Sequence, residues 1–136
     1  MVHELNLTNE VMFLGQRTDI QELMCATDLV FVPSRYEGLP RVVLEGMMAE
    51  KPIVATNVGG VSEVVDDTVN GLLVPPDDVQ LMFQAISRIV HDSGFARSIA
   101  KVGMDYARTN FSQERYIKEL HGFYQRLIEQ YSSQFV

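Results

Sequence analysis

Residues 33–60, with the sequence PSRYEGLPRVVLEGMMAEKPIVATNVGG, decide the fold of this chain. The pattern predicts the end of a buried strand, then a loop, a helix and a second buried strand. Pro40 suits the first position of that helix, because proline has no N–H group to leave unpaired there. A helix that begins here offers free backbone N–H groups and the positive end of its dipole, and both favour a phosphate group.

Two carboxylates lie in this segment, Glu37 in the loop and Glu45 inside the helix, with seven residues between them. The residues around Glu45 are mostly apolar, so its charge needs a partner. A ribose diol is suitable, because a carboxylate can accept two hydrogen bonds at once. Glu45 would lie about 7.5 Å along the helix from Pro40, which suits a ribose next to phosphates at the helix start. We therefore expect a sugar nucleotide, although spacing alone leaves an internal salt bridge equally good for Glu45 and favours a solvated turn for Glu37.

The glycines of the segment have ordinary as well as functional explanations. Gly38 would let the backbone approach a ligand closely. Gly46 costs about 1 kcal/mol relative to alanine inside a helix, and either a close ligand or crowding against the sheet explains it. Gly59 and Gly60 resemble a phosphate loop only weakly, so we interpret them as a plain turn.

Composition limits the class of protein. The chain has 136 residues, of which 46% are hydrophobic and 21% charged, as expected for one globular domain spanning residues 1–136. The net charge of −7 argues against nucleic acid or an anionic membrane as a partner. It also opposes a diphosphate, so only local groups could offset it: the helix start, Arg35, Arg41 and Lys51.

Cys25 is the single cysteine, which excludes an internal disulfide and a cysteine-based metal site. Its apolar helical context predicts a buried, inert thiol. His3 and Glu4 interrupt the apolar run that a signal peptide would need, and no apolar run approaches the roughly 20 residues of a membrane span. We expect a cytoplasmic protein, with peripheral membrane attachment an option for the full-length protein.

The predicted fold is α/β: a partial Rossmann-like parallel sheet of about four strands, with helices on both faces and a helical C-terminal end. The strands are apolar throughout, as in sheets covered on both faces, and helices separate them. Asp19, three residues before Glu22, predicts a capping box, and Ser112 predicts the N-cap of the last helix. The predicted strands are residues 11–14, 29–32, 53–56 and 72–74.

Three loops, residues 15–18, 33–38 and 57–60, follow the carboxyl ends of these strands, where parallel sheets bind ligands. Other candidate sites are weaker. The acidic pairs at residues 66–67 and 77–78 suit a loop and a helix cap better than a metal. No catalytic Ser-His-Asp or Cys-His set is apparent. The aromatic stripe of the last helix suits the core or a helix-packing surface: Tyr116, Phe123, Tyr124 and Tyr131.

The stretch VMFLGQRTDIQELMCATDLVFVPSRYEGLPRVVLEGMMAEKPIVATNVGGVSEVVDDTVNGLLVPPDD, residues 11–78, strongly resembles the group 1 family of retaining glycosyltransferases with the GT-B fold. Glu37 and Glu45 match the Glu-x7-Glu signature of that family. The EGLP, PIVAT-VGG and NGLLVPP blocks match as well, and the similarity extends over residues 11–124.

The resemblance implies a reaction and a set of roles. A sugar would move from a nucleotide diphosphate to an acceptor with retained anomeric configuration, and no metal or other cofactor would be required. Glu37 would be the catalytic residue, lying against the donor sugar. Glu45 would bind the ribose hydroxyls, and Gln16 and Arg17 would lie near the base. The backbone that would approach the sugar and diphosphate belongs to Gly38, Leu39, Pro40 and Arg41.

The chain matches only the latter part of the donor-binding domain of such enzymes. The N-terminal domain, which would bind a sugar or lipid-linked acceptor, and the first strand–helix units, which carry the Arg and Lys that clamp the diphosphate, have no counterpart here. We therefore expect little or no activity from this chain alone. The alternative function is a non-catalytic nucleotide-sugar-binding or interaction module that needs a partner polypeptide, and a purely structural domain comes third.

The same comparison predicts an exposed sheet edge. If the usual strand order 3-2-1-4-5-6 applies, residues 11–14 form the third strand, and the two central strands between it and residues 29–32 are absent. An unpaired edge invites association. We therefore expect self-association, strand exchange, or docking of residues 11–14 directly onto residues 29–32.

Overall fold

The computed structural model describes residues 1–132. Its centre is a parallel sheet of three strands in the order β1-β2-β3. The strands are β1 (Val30–Val32), β2 (Ile53–Thr56) and β3 (Leu72–Val74). The parallel α/β architecture and its helical C-terminal end are as predicted.

Residues 11–14, predicted as a strand, form none in the described chain, and they do not dock on β1. Met12 and Phe13 are 81% and 82% exposed. A strand is stabilised by pairing with a neighbouring strand, and an apolar run of four residues does not show whether such a neighbour is present. This prediction was therefore wrong about structure, although the apolar run itself is real.

Within residues 1–132 the chain forms six helices. They are α1 (Ile20–Ala26), α2 (Arg41–Met48), α3 (Val61–Val64), α4 (Val79–His91), α5 (Ser93–Asn110) and α6 (Gln113–Ser132). Among the described residues, no helix is long and apolar enough to cross a membrane.

Local side chains fix several helix starts. The Asp78 carboxylate accepts a hydrogen bond from the Leu81 N–H (2.9 Å), and the Ser112 hydroxyl accepts one from the Arg115 N–H (3.2 Å), as predicted for these caps. The capping box at Asp19 does not form, because this side chain makes no cap hydrogen bond. Its carboxylate instead binds the Arg17 guanidinium at 2.8 Å.

Helix α2 packs on β1 and β2 through side chains that are fully buried. Val43 and Met47 of α2 and Ile53 of β2 are each 0% exposed. A Cβ atom on Gly46 would lie 2.8 Å from Ile53 Cδ1 and 3.2 Å from Val30 Cγ2. Of the two explanations that the sequence offered for Gly46, crowding against the sheet therefore suffices, and close approach of a ligand is not needed.

The opposite face of the sheet is covered by α4 and α5. Val54 and Leu72 pack there against Ile89 of α4 and Ile99 of α5. Helices thus cover both faces of the sheet, which is why the strands show no alternation of apolar and polar residues.

One predicted burial was wrong, and for the aromatic stripe one of the two alternatives left open by the sequence is excluded. Cys25 is exposed, because α1 buries none of its residues and contacts mainly α2. The aromatic stripe of α6 is not core either: Tyr116, Phe123 and Tyr124 are 50–65% exposed.

Met47→Ala is expected to lower the free energy of unfolding by about 2–5 kcal/mol, because it leaves a cavity between α2 and the sheet. The matched control is Met48→Ala, whose side chain is 38% exposed; the expected loss there is about 1 kcal/mol or less. Urea unfolding followed by circular dichroism measures both. Equal losses would contradict the packing described here.

Candidate functional site

The candidate site lies at the edge of the sheet where the three parallel strands end. The loops after β1, β2 and β3 all leave from this edge, here called the carboxyl rim. Arg35 in the loop after β1 pairs with Asp77 in the loop after β3 at 2.9 Å, and Gly60 N–H in the loop after β2 donates to the Glu37 carbonyl at 3.2 Å. The carboxyl rim is therefore a connected surface rather than three independent loops.

The loop after β2 packs backbone against backbone on the loop that carries Glu37. The Gly60 N–H donates to the Glu37 carbonyl at 3.2 Å. A Cβ on Gly59 would lie 1.8 Å from the Glu37 carbonyl oxygen, and one on Gly60 would lie 2.2 Å from that of Gly38. Gly59 also has φ +49°, a conformation that side chains rarely adopt. The plain turn expected from the sequence is thus a contact that fixes the Glu37 loop.

Glu37 is half-buried and one carboxylate oxygen is held in place. The Ser34 hydroxyl donates a hydrogen bond to Glu37 Oε1 at 2.8 Å. Thr56, at the end of β2 and only 4% exposed, directs its hydroxyl towards the carbonyl oxygens of Ser34 and Val32. Neither Ser34 nor Thr56 was predicted as part of the site.

The start of α2 differs from the prediction by one residue and by its hydrogen bonds. The helix begins at Arg41, and Pro40 is its buried N-cap residue. Arg41 N–H donates to the Leu39 carbonyl at 2.8 Å, and Val43 N–H donates to that of Pro40 at 3.0 Å. Within the described chain, Val42 alone of the first three residues of α2 retains an N–H without a recorded acceptor. This helix start therefore offers less to a phosphate than the sequence suggested.

Glu45 lies one turn further along α2 and remains accessible. Its side chain is 40% exposed, and the nearest cation is Arg41, with Nη2 3.7 Å from Oε1. The Arg41 side chain is 80% exposed, and such i,i+4 pairs contribute only about 0.3–0.5 kcal/mol. The internal salt bridge that the sequence left open is therefore present but weak, and it does not occupy the carboxylate.

A groove of about 360 Å³ runs between α1 and α2, and Glu45 lies on its wall. The other side chains are mainly apolar, among them Met24, Leu44 and Met48. Helix α1 forms the wall of the groove opposite Glu45, and Gln16 and Arg17 lie just before α1 in the chain. Glu45 thus borders an apolar groove, and it lies about one helical turn from the start of α2 at the carboxyl rim.

Gln16 and Arg17 are not joined to the other candidate residues. Arg17 donates from Nε to Asp19 at 2.8 Å. This pair raises the pKa of Arg17 and, chiefly through the same hydrogen bond, lowers the pKa of the Asp19 carboxyl group. No hydrogen bond or ion pair connects either residue to α2 in the described part of the chain. A role near a base is therefore still a prediction.

The cations expected to offset a diphosphate are mostly engaged elsewhere. Arg35 pairs with Asp77 at 2.9 Å, linking the loop after β1 to the loop after β3. Lys51 precedes β2, so it lies at the amino end of the sheet, and its ammonium group donates to the Cys25 carbonyl at 2.8 Å. Lys51, expected as one of the groups that could offset a diphosphate, therefore lies at the opposite end of the sheet from the carboxyl rim.

The acidic pairs have structural roles, as predicted. Asp78 caps α4 and Asp77 pairs with Arg35. Asp67 accepts a hydrogen bond from the Leu73 N–H at 2.9 Å. Within residues 1–132, no three His, Cys, Asp or Glu side chains form a group suited to hold a metal ion.

A second cleft, of about 640 Å³, lies at the amino ends of β1 and β2. Thr27, Lys51 and Arg97 are among its lining residues. Although this cleft is larger than the groove beside Glu45, it lies at the opposite end of the strands from Glu37. Because parallel α/β sheets bind ligands at the carboxyl ends of their strands, we assign the candidate chemistry to the carboxyl rim.

Comparison with known proteins agrees with the resemblance found in the sequence. The model of the family "Glycosyl transferases group 1" matches residues 1–92. D-inositol 3-phosphate glycosyltransferase from Salinispora tropica is 37% identical over 122 residues, which cover 88% of this chain and 25% of that protein.

Two solved structures of the same kind are similar to this chain. Sucrose-phosphate synthase from Thermosynechococcus elongatus matches with a TM-score of 0.89 and 33% identity, covering 95% of this chain and 33% of that one. Anabaena Alr3699/HepE in complex with UDP-glucose matches with a TM-score of 0.78 and 34% identity, covering 97% of this chain and 35% of that one. The chain therefore spans about a quarter to a third of the length of these relatives.

Gly60→Ala is expected to displace the Glu37 loop and to lower the free energy of unfolding by about 1–3 kcal/mol, because the new methyl group would meet the Gly38 carbonyl oxygen. Gly38→Ala is the matched control, since a Cβ there has nothing within 4 Å. Thermal unfolding and the amide NMR shifts of the Glu37 loop measure the effect. An unchanged loop in Gly60→Ala would show that this contact does not hold Glu37 in place.

Proposed function

This chain belongs to the group 1 glycosyl transferases, and we propose that it forms part of the nucleotide-sugar site of an enzyme that transfers a sugar with retention of anomeric configuration. The observation that carries this proposal is the arrangement of Glu37 and Glu45. Both project from one rigid segment packed on β1 and β2, one held by Ser34 and the other accessible beside a groove. A relative with this fold, Anabaena Alr3699/HepE, forms a complex with UDP-glucose.

In this proposal, Glu45 accepts hydrogen bonds from the two ribose hydroxyl groups. A single carboxylate can accept both, and the weak pair with Arg41 leaves it free to do so. The apolar groove beside Glu45 offers an apolar surface to one side of the nucleoside.

Glu37 is proposed to act at the reacting centre. A carboxylate next to the anomeric carbon stabilises the positive charge that develops as the bond to the diphosphate breaks. The Gly38–Arg41 backbone, which lies between the two carboxylates, is proposed to line the sugar and diphosphate, and Gln16 and Arg17 to lie near the base. No step in this scheme uses a metal ion.

The diphosphate is the least supported part of the ligand. Lys51 donates to the Cys25 carbonyl at the amino end of the sheet, Arg35 and Arg41 are exposed and form only surface pairs with Asp77 and Glu45, and the net charge of the chain is −7. We propose that the cations which clamp the diphosphate come from a part of the enzyme outside this chain. The acceptor, a sugar or a lipid-linked sugar, is likewise proposed to bind outside it.

Glu45→Gln is expected to weaken the binding of nucleotides and nucleotide sugars about tenfold or more, because a hydrogen bond to a charged group contributes about 1.5–3 kcal/mol. Titration calorimetry with a panel that includes UDP, UDP-glucose and guanosine counterparts measures this. Glu22→Gln on α1 is the control of equal charge change. A folded wild-type chain that binds none of the panel would contradict a retained donor site.

The same preparations also test whether the chain is sufficient for catalysis. We expect little or no turnover of any nucleotide sugar. The cations proposed to clamp the diphosphate and the domain proposed to bind the acceptor both lie outside this chain. Measured transfer or hydrolysis by the wild-type chain, lost in Glu37→Gln, would contradict this part of the proposal.

An interaction module is the second candidate, and the exposed edge of β1 favours it. Val30 N–H points to β2, where it donates to Pro52 O at 3.0 Å, so the backbone groups of Phe31 point away from the sheet. The Phe31 side chain is 53% exposed. Such an edge can pair with a second copy of the chain or with a partner polypeptide.

Self-association through this edge is expected to appear as a concentration-dependent increase in sedimentation coefficient. Phe31→Lys should abolish it, because a lysine at a strand edge opposes pairing. Phe83→Lys on α4 is the control, since Phe83 is 63% exposed and α4 packs mainly on β2, β3 and α5. A compact monomer at every concentration would exclude self-association.

A further inference from the structure

Glu37 is connected to the interior of the protein by two hydroxyl groups. The Ser34 hydroxyl donates to Glu37 Oε1 at 2.8 Å, and Ser34 and Glu37 are both half-buried. The hydroxyl of Thr56, on the neighbouring strand β2, faces the backbone carbonyl oxygen of Ser34. These three residues link the buried end of β2 to the carboxylate proposed to act on the donor sugar.

The link restricts one half of the Glu37 carboxylate. A glutamate side chain has three rotatable bonds, and fixing them costs conformational entropy. The hydrogen bond to Oε1 fixes that oxygen before any ligand arrives and leaves Oε2 without a recorded protein partner in the described chain. The main chain of Glu37 is fixed independently, by the hydrogen bond from Gly60 to its carbonyl group at 3.2 Å.

Thr56 is suited to hold the Ser34 backbone. Its side chain is 4% exposed, and its hydroxyl has the Val32 carbonyl at 3.3 Å as a second acceptor. A threonine in a strand has a restricted χ1 angle, so the hydroxyl position is set by the strand itself. The end of β2 therefore determines where Ser34 begins its turn towards Glu37.

We propose that Ser34 is a positioning residue for Glu37, with Thr56 fixing the Ser34 backbone. The proposal rests on the function proposed above, in which Glu37 acts on the sugar and Glu45 on the ribose. It assigns Ser34 to the sugar half of the site only. A Ser34 variant should therefore lose the contribution of the sugar to binding while it keeps that of the nucleotide.

The first test needs no ligand. NMR side-chain couplings of Glu37 should report a single rotamer in the wild-type chain and averaging over several rotamers in Ser34→Ala. Ser34→Thr, which keeps the hydroxyl group, should restore the single rotamer. A Glu37 rotamer that is unchanged in Ser34→Ala would overturn the proposal, whatever the chain binds.

The second test compares a nucleotide sugar with its nucleoside diphosphate, beginning with UDP-glucose and UDP. Ser34→Ala should weaken UDP-glucose binding about tenfold or more, as expected for the loss of one hydrogen bond to a charged group, and leave UDP binding unchanged. Ser34→Thr should restore it, and Glu37→Gln should show the same selective loss. Equal weakening of both ligands by Ser34→Ala would indicate a merely structural role and overturn the proposal.

The two proposals fail in different ways. If Glu45→Gln does not change UDP binding, or if no ligand binds, the proposed donor site fails while the rotamer measurement still decides the role of Ser34. If Glu45→Gln and Glu37→Gln behave as expected and Ser34→Ala behaves as the wild type, only the positioning role fails.

Discussion

Close packing of α2 against β1 and β2 is the constraint on which the site depends. It requires glycine at position 46, where a Cβ would approach both strands, and it buries Val43 and Met47 completely. This contact fixes the axis of α2 and therefore the position of Glu45 on its accessible side. Since the Glu37 loop leads directly into α2, the same contact also determines where that loop ends.

A second constraint acts at the other end of the loop. Gly59 and Gly60 allow the backbone after β2 to touch the backbone of Glu37 and Gly38. Hydrogen bonds from Ser34 to the Glu37 carboxylate and from Thr56 to the Ser34 carbonyl hold the same loop. Both carboxylates thus belong to one preorganised unit, which suits a site that must orient a sugar and a ribose together.

Electrostatics suits this chain to one part of the proposed ligand better than to the other. Acidic side chains suit hydroxyl groups, and Glu37 and Glu45 present them at the carboxyl rim. A diphosphate needs cations, yet Lys51 lies at the amino end of the sheet, Arg35 and Arg41 are exposed and paired with Asp77 and Glu45, and the first N–H groups of α2 are largely used. This division agrees with the chain spanning only about a quarter to a third of its relatives.

The sequence predicts those features that depend on neighbouring residues. The helix caps at Asp78 and Ser112, the extent of β2 and the parallel α/β class all follow from local pattern. Residues 11–14 share the apolar pattern of β2 but form no strand, because a strand depends on a partner elsewhere. Asp19 fails as a cap because Arg17 competes for its carboxylate. Thr56 and Gly60 were missed as supports of the Glu37 loop because their contacts join residues more than 20 positions apart. The bond from Ser34 to Glu37 spans only three positions, but the sequence does not show which acceptor a serine hydroxyl in a loop will take.

The central claim is that a nucleotide sugar binds at the carboxyl rim through Glu37 and Glu45. Amide NMR shifts of the chain during a titration with UDP-glucose test this claim most directly. The account predicts that the largest changes occur in the Glu37 loop and the first half of α2. Changes confined to the cleft at the amino ends of the strands, or a saturating titration that leaves the Glu37 loop unchanged, would contradict it.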